Sequence, residues 1–165
     1  MIGFKQFMEE RKPKRKYVAV QYDVTTQRKL REWAKENGFD LTTRYDGTSQ
    51  SEEDFDFHTT IFYTTSEHDI PNHKKVIAPS GVAKVTGITM LGHNKDIPVL
   101  EIHSPMVLRM RRHYADVHGM KDEWPEYTPH VSVSYSKNLP DISKVKLPTF
   151  DLTFNEIKIE DGNDF

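Results

Sequence analysis

The chain has 165 residues, 36% of them hydrophobic and 11% aromatic, with no cysteine, eight histidines and a formal net charge of −2. That length suits one compact domain that can bury a core without a covalent staple. The lack of cysteine excludes a disulfide scaffold, a zinc finger, an iron–sulfur site and a cysteine nucleophile, and the small net charge argues against gripping long nucleic acid by bulk electrostatics.

Taken in chain order, residues 1–15 read as a flexible leader before a domain placed at 16–165. Ile2, Phe4, Phe7 and Met8 give the leader an apolar side, and five of the six residues from Arg11 to Lys16 are basic. It lacks the apolar run of a secretory signal. No stretch approaches the ~18 apolar residues of a membrane span, so no membrane partner is expected. Lys16–Asp23 alternates and reads as a strand. Thr25 or Thr26 can cap a helix to about Asn37, with Leu30, Trp33 and Ala34 on one face and Gly38 as the stop. Residues 39–54 read as a polar loop. Phe55–Thr64 is a second strand, with Phe57, Thr59, Ile61 and Tyr63 opposite His58, Thr60 and Phe62. Val82–Leu91 and Ile97–Ile102 flank a turn. Ser104-Pro105 opens a helix to His118, closed by Gly119. His130–Tyr135 and Leu152–Ile159 are the last strands. The mixture, without regular alternation, predicts an α+β fold dominated by antiparallel sheet.

Two short strings stand out. His58-Thr59-Thr60-Ile61 and His130-Val131-Ser132-Val133 share the form His–x–hydroxyl–apolar, each inside a predicted strand. Residues i and i+2 of a strand point the same way, roughly 7 Å apart, so each string presents an imidazole and a hydroxyl to one face. Cleaving a phosphodiester through a neighbouring hydroxyl needs one group to take the nucleophile's proton and another to protonate the leaving oxygen. Histidine serves either role near neutral pH. Thr and Ser hydroxyls are donors for the charge that grows on the phosphoryl oxygens. No HExxH-type ligand string is present, so no metal or other cofactor is expected.

FHTTIFYT and YTPHVSVSYS resemble the paired signatures of the two-histidine (2H) phosphoesterase superfamily. The order of elements from YVAV through EIHSP to WPEYTPHVSVSY is similar to its phage anti-CBASS branch, over about residues 16–160. Those enzymes destroy the cyclic oligonucleotide messengers of bacterial antiphage signalling. The resemblance implies a bilobal fold with pseudo-twofold symmetry about a central cleft, and a metal-independent phosphodiesterase acting on the 3′–5′ linkages of cyclic di- or trinucleotides such as cyclic GMP-AMP. His58 and His130 would be the acid/base pair, and Thr60 and Ser132 the phosphate clamp, Ser132 standing where such enzymes often carry Thr. Tyr17 matches a base-stacking aromatic. Met90-Leu91 stands where a second aromatic is expected in the central hairpin, and both Glu156 and Glu160 match a C-terminal acidic contributor, with Glu160 preferred as a substrate contact. The implied partner is the cyclic oligonucleotide, with no obligatory protein partner, in the cytoplasm of an infected bacterium. The alternatives are a 2H enzyme of RNA metabolism and a non-catalytic nucleotide sponge.

Trp124, Glu126 and Tyr127 lead into the second string, so they are expected near the mouth of the site. Trp124 and Tyr127 are candidate substrate contacts, the alternative for Trp124 being to pack the loop on the core. Lys16 is expected in a solvated basic run. His113 and His118 are expected to be solvated beside Arg109, Arg111 and Arg112, and His68, His73, His93 and His103 to be ordinary. MIGFKQFMEE resembles the packaging sequences of proteins carried in tailed-phage heads and removed near a glutamate, which would bring the protein in with the genome.

Overall fold

Six strands form one antiparallel sheet in a computed structural model that describes residues 15–65, 70–92, 94–121 and 126–162. The strands are β1 (Arg15–Tyr22), β2 (His58–Thr65), β3 (His73–Leu91), β4 (Ile97–His103), β5 (His130–Ser132) and β6 (Leu152–Asp161). The helices are α1 (Val24–Glu36) and α2 (Pro105–His118). Across the sheet the order is β2-β1-β6-β3-β4-β5. The two strands that carry the His–x–hydroxyl strings are therefore the two outermost ones. The sheet is curved enough that β2 and β5 nonetheless approach each other, and a cleft lies between them.

Alternation explains β1. Val18, Val20 and Tyr22 are buried in the core while Tyr17 and Gln21 on the other face are partly open. The core is continuous, joining Leu30, Trp33, Phe57, Ile61, Leu100, Val131, Phe154 and Ile159. Asp23, rather than Thr25 or Thr26, caps α1. Its carboxylate accepts from the Thr26 backbone N–H at 2.8 Å, which leaves the buried Thr26 hydroxyl to bond Thr153 of β6 at 3.0 Å. At α2 the expectation holds: Ser104 accepts from Val107 N–H, Pro105 opens the helix, and Gly119 closes it in the left-handed conformation at φ 65°.

Three strands depart from the sequence pattern. β3 begins at His73, nine residues before the predicted start, and pairs first with β6 and then with β4. Its register breaks between Val76 and Gly81, where Pro79 has no N–H to give to a ladder. β5 is only three residues long, but the Val133 N–H still reaches the Pro98 carbonyl at 3.0 Å. In β2, Phe55 and Phe57 are buried but precede the ladder, which starts at His58. The β1–β2 register then skips Ile61, since Val18 pairs with Phe62 and Ala19 with Thr60. This bulge resets the alternation. Ile61 and Phe62 are both buried, and Tyr63 moves to the face predicted for His58 and Thr60.

Lys16 is likewise not solvated. It is 6% exposed, and its ammonium bonds Asp161 at 2.7 Å and Asn72 at 2.9 Å. The leader residues 1–14 lie outside the described residues. Among the described residues no helix is long and apolar enough to cross a membrane.

Candidate active site

Two cavities open on the curved face. One, of about 670 Å³, is lined by Ile61, Phe62, Leu91, Val99, Arg111 and Tyr127, among others, together with His130. The other, of about 600 Å³, has a more polar wall that includes Tyr17, Gln21, Asp56, His58, Tyr135 and Glu160. Thr60 and Ser132 line both. The two hydroxyls expected to clamp phosphate thus stand at the junction, with one histidine in each cavity.

Each histidine is oriented in the same way. His58 Nδ1 donates to the carbonyl of Asp56 at 3.1 Å, and His130 Nδ1 donates to the carbonyl of Thr128 at 2.8 Å. A carbonyl can only accept, so Nδ1 carries the proton in both rings. Nε2 is then the atom left for proton exchange in each. Burial holds the His130 imidazolium below the usual histidine range, and the charge of His58 pushes the same way, while the bond to the Thr128 carbonyl partly opposes both.

The hydroxyls are matched too. Thr60 Oγ1 donates to the Tyr17 hydroxyl at 3.3 Å, and Ser132 shares its cavity wall with Tyr135. Tyr17 stands edge-on to His58, with ring centroids 5.9 Å apart, and to Tyr63 at 6.1 Å. Burial raises the pKa of both the Tyr17 and Tyr135 phenols, so they remain protonated donors at neutral pH. Glu160 sits opposite Tyr17 in the β1–β6 register, lines the cavity and pairs with Lys158 at 3.3 Å. Glu156 instead pairs with Lys74 at 3.1 Å. Of the two glutamates, Glu160 is the one on the cavity wall.

Tyr127 bridges the two halves. Its hydroxyl donates to the Thr60 carbonyl at 2.7 Å. Arg111 was expected in solvent, but it reaches from α2 to the Ile61 carbonyl. Its guanidinium lies 3.9 Å from the Tyr127 ring centroid and 4.0 Å from that of Phe62. These two side chains satisfy carbonyls of β2, an edge strand. His118 stacks on Tyr114 at 5.4 Å and packs edge-on to His113 at 5.6 Å. Trp124, His68 and His93 fall outside the described residues. Among the described residues, no group of three or more His, Asp or Glu side chains is placed to hold a metal ion.

Sequence reasoning missed Tyr63, Tyr135, Asp56 and Gln21 as cavity residues. Asp56 was readable in principle, two positions before His58. Tyr63 was not, because only the bulge turns it inward.

The model of the anti-CBASS protein Acb1 family matches residues 14–164. The chain belongs to that family. Its fold is that of E. coli LigT, seen in a crystal structure complexed with 3′-AMP, with a TM-score of 0.51 at 11% identity, covering 93% of this chain and 91% of that one. A further structure described as a phosphoesterase aligns at 12% identity with a TM-score of 0.47, over 90% of this chain and 88% of the other. No curated relative matches the sequence. The chain is thus an anti-CBASS family protein with the α+β fold of LigT.

Proposed function

We propose that this anti-CBASS protein is a phosphodiesterase that opens the 3′–5′ linkages of cyclic di- or trinucleotides without a metal. The observation that carries the reading is the convergence of Thr60 and Ser132, from opposite edges of the sheet, on the junction of two cavities that each hold one histidine. A phosphate held at that junction leaves room on either side for the two nucleosides it links. LigT, of the same fold, is seen with 3′-AMP, a nucleoside with phosphate on its 3′-oxygen, the oxygen that keeps the phosphorus in such cleavage.

In this reaction the substrate's 2′-hydroxyl attacks phosphorus. One histidine Nε2 takes its proton, the P–O2′ bond forms, the P–O5′ bond breaks, and the other histidine gives its proton to O5′. The product end is a 2′,3′-cyclic phosphate. Thr60, giving up its bond to Tyr17, and Ser132 donate to the phosphoryl oxygens, in bonds that strengthen as charge develops. Tyr17 and Tyr127 offer ring faces for bases, and Glu160 contributes at the rim. The setting is the cytoplasm of an infected bacterium.

Incubation with cyclic GMP-AMP, with and without EDTA, tests this directly. Full turnover is expected in EDTA, and His58→Ala or His130→Ala is expected to lower kcat by about 10²–10⁴-fold. Release of intact ligand on denaturation would identify a sponge, and preference for linear RNA ends would identify an enzyme of RNA metabolism. Either result would overturn the assignment.

A further inference from the structure

The two strings orient their histidines alike, but the residues two places before them differ in chemistry. Asp56 precedes His58 and Thr128 precedes His130. Both supply a carbonyl to Nδ1 of their histidine, but only Asp56 adds a carboxylate, whose Oδ2 lies 3.7 Å from His58 Nδ1.

That carboxylate is held in place. Gln27 of α1 donates to its Oδ1 at 3.3 Å. With its amide nitrogen turned toward Asp56, Gln21 of β1 donates to both oxygens, at 2.9 and 3.0 Å. Gln27 also brackets Phe57, accepting from its N–H at 2.9 Å and donating to its carbonyl at 2.6 Å. Gln21, in turn, is the cross-strand partner of His58. Two neutral amides thus fix the carboxylate beside the ring without neutralising it.

Among the described residues His130 has no such companion. The residue facing it across β4 is Glu101, whose carboxylate leans over Gly87, with Oε1 3.6 Å from where a Cβ there would lie. Among the described residues no carboxylate lies within 4.0 Å of His130. The Thr128 carbonyl and His58 act on it, and the charged residues around its cavity are Arg111, Lys121 and Glu126.

We infer that Asp56 is a positioning residue that divides the labour between the histidines, making His58 the general acid and leaving His130 as the base. The assignment rests on the phosphodiesterase reading above and adds a direction to it. In this role His58 delivers an Nε2 proton to O5′, with the Asp56 carboxylate 3.7 Å from its Nδ1 to hold the ring in place. His130, neutral at the start, accepts the 2′-hydroxyl proton at Nε2. One proton leaves the substrate oxygen and one joins the leaving oxygen, so the pair ends with its charges exchanged and no net proton gained. Burial of His130 supports the same direction, because it disfavours the charged form at the position that must begin neutral.

The test is leaving-group dependence. Asp56→Asn keeps the shape and one accepting oxygen but removes the charge. It should lower kcat on cyclic GMP-AMP by about 10–100-fold, with KM little changed. On the same ring with sulfur replacing the bridging 5′-oxygen, the thiolate leaves without a proton. There Asp56→Asn and His58→Ala should run within about threefold of wild type, while His130→Ala stays impaired. Asp56→Glu should recover part of the loss on the oxygen substrate. Equal impairment of Asp56→Asn on both substrates, or sulfur rescue of His130→Ala instead of His58→Ala, would overturn the assignment. If the wild-type protein opens neither ring, the function itself fails and takes this inference with it.

Discussion

His130 shows how a single side chain ties stability to activity. Its folded-state pKa lies below the ordinary 6.5 because burial disfavours the imidazolium. Between the two values the unfolded chain binds the proton and the folded one does not, so stability increases with pH across that window and is complete above about 6.5. Acidification below 6.5 should therefore destabilise the wild-type protein more steeply than His130→Gln, as read by urea unfolding at a series of pH values. With His130 as the proposed base, activity should fall on the same acidic side. The histidines and hydroxyls of the site were legible from sequence because their spacing of two has a fixed meaning in a strand. Asp56 and Tyr135 were less so. Asp56 precedes the ladder and acts through a contact at 3.7 Å, and Tyr135 follows a strand that ends three residues earlier. Alternation alone would send Tyr135 to the buried face with Val131 and Val133.

Among the elements, β3 is the one the sequence concealed. His73 to Ser80 contains two lysines, a proline and no strict alternation, and these are the ordinary marks of a loop. What makes a strand of it is tertiary: β6 offers a free ladder on that side and pairs with His73 to Val76. The path then depends on Gly81. A Cβ at that position would lie 2.2 Å from the fully buried ring of Phe154 and 2.8 Å from Met106 Sδ. Gly81→Ala should cost about 1–3 kcal/mol, the usual range for overpacking a tight core. Equilibrium unfolding would measure it, and a paired Phe154→Leu change should recover part of the loss. Helix ends were easier to place. Ser104, Pro105 and Gly119 act through local geometry that the residues themselves specify. At α1 the cap slipped to Asp23 because its carboxylate also receives the Thr153 hydroxyl from β6, a contact distant in sequence.

For the whole molecule, the site depends on how far the sheet curls. Its two working edges meet only if β2 and β5 are held together, and Arg111 with Tyr127 spans that seam from the β5 side to the backbone of β2. Arg111→Ala should loosen the seam more than it lowers global stability. The expected signature is faster amide exchange in β2 and at least about a tenfold drop in kcat, with a urea midpoint little changed. Arg111→Lys should not restore activity, because an ammonium cannot lie flat between the Phe62 and Tyr127 rings while reaching a carbonyl.

The position of β6 has a consequence for how the protein comes into being. The last strand of the chain lies in the middle of the sheet, flanked by β1 on one side and β3 on the other. While the ribosome is still adding residues before Leu152, the halves bearing His58 and His130 have no ladder joining them. Assembly must wait for the final segment to slot between strands made much earlier, which closes long loops late and slows folding. A nascent or C-terminally clipped chain should thus carry both histidines and yet have nothing to cut with. The two strings come together in one step, once Leu152–Asp161 has joined the sheet.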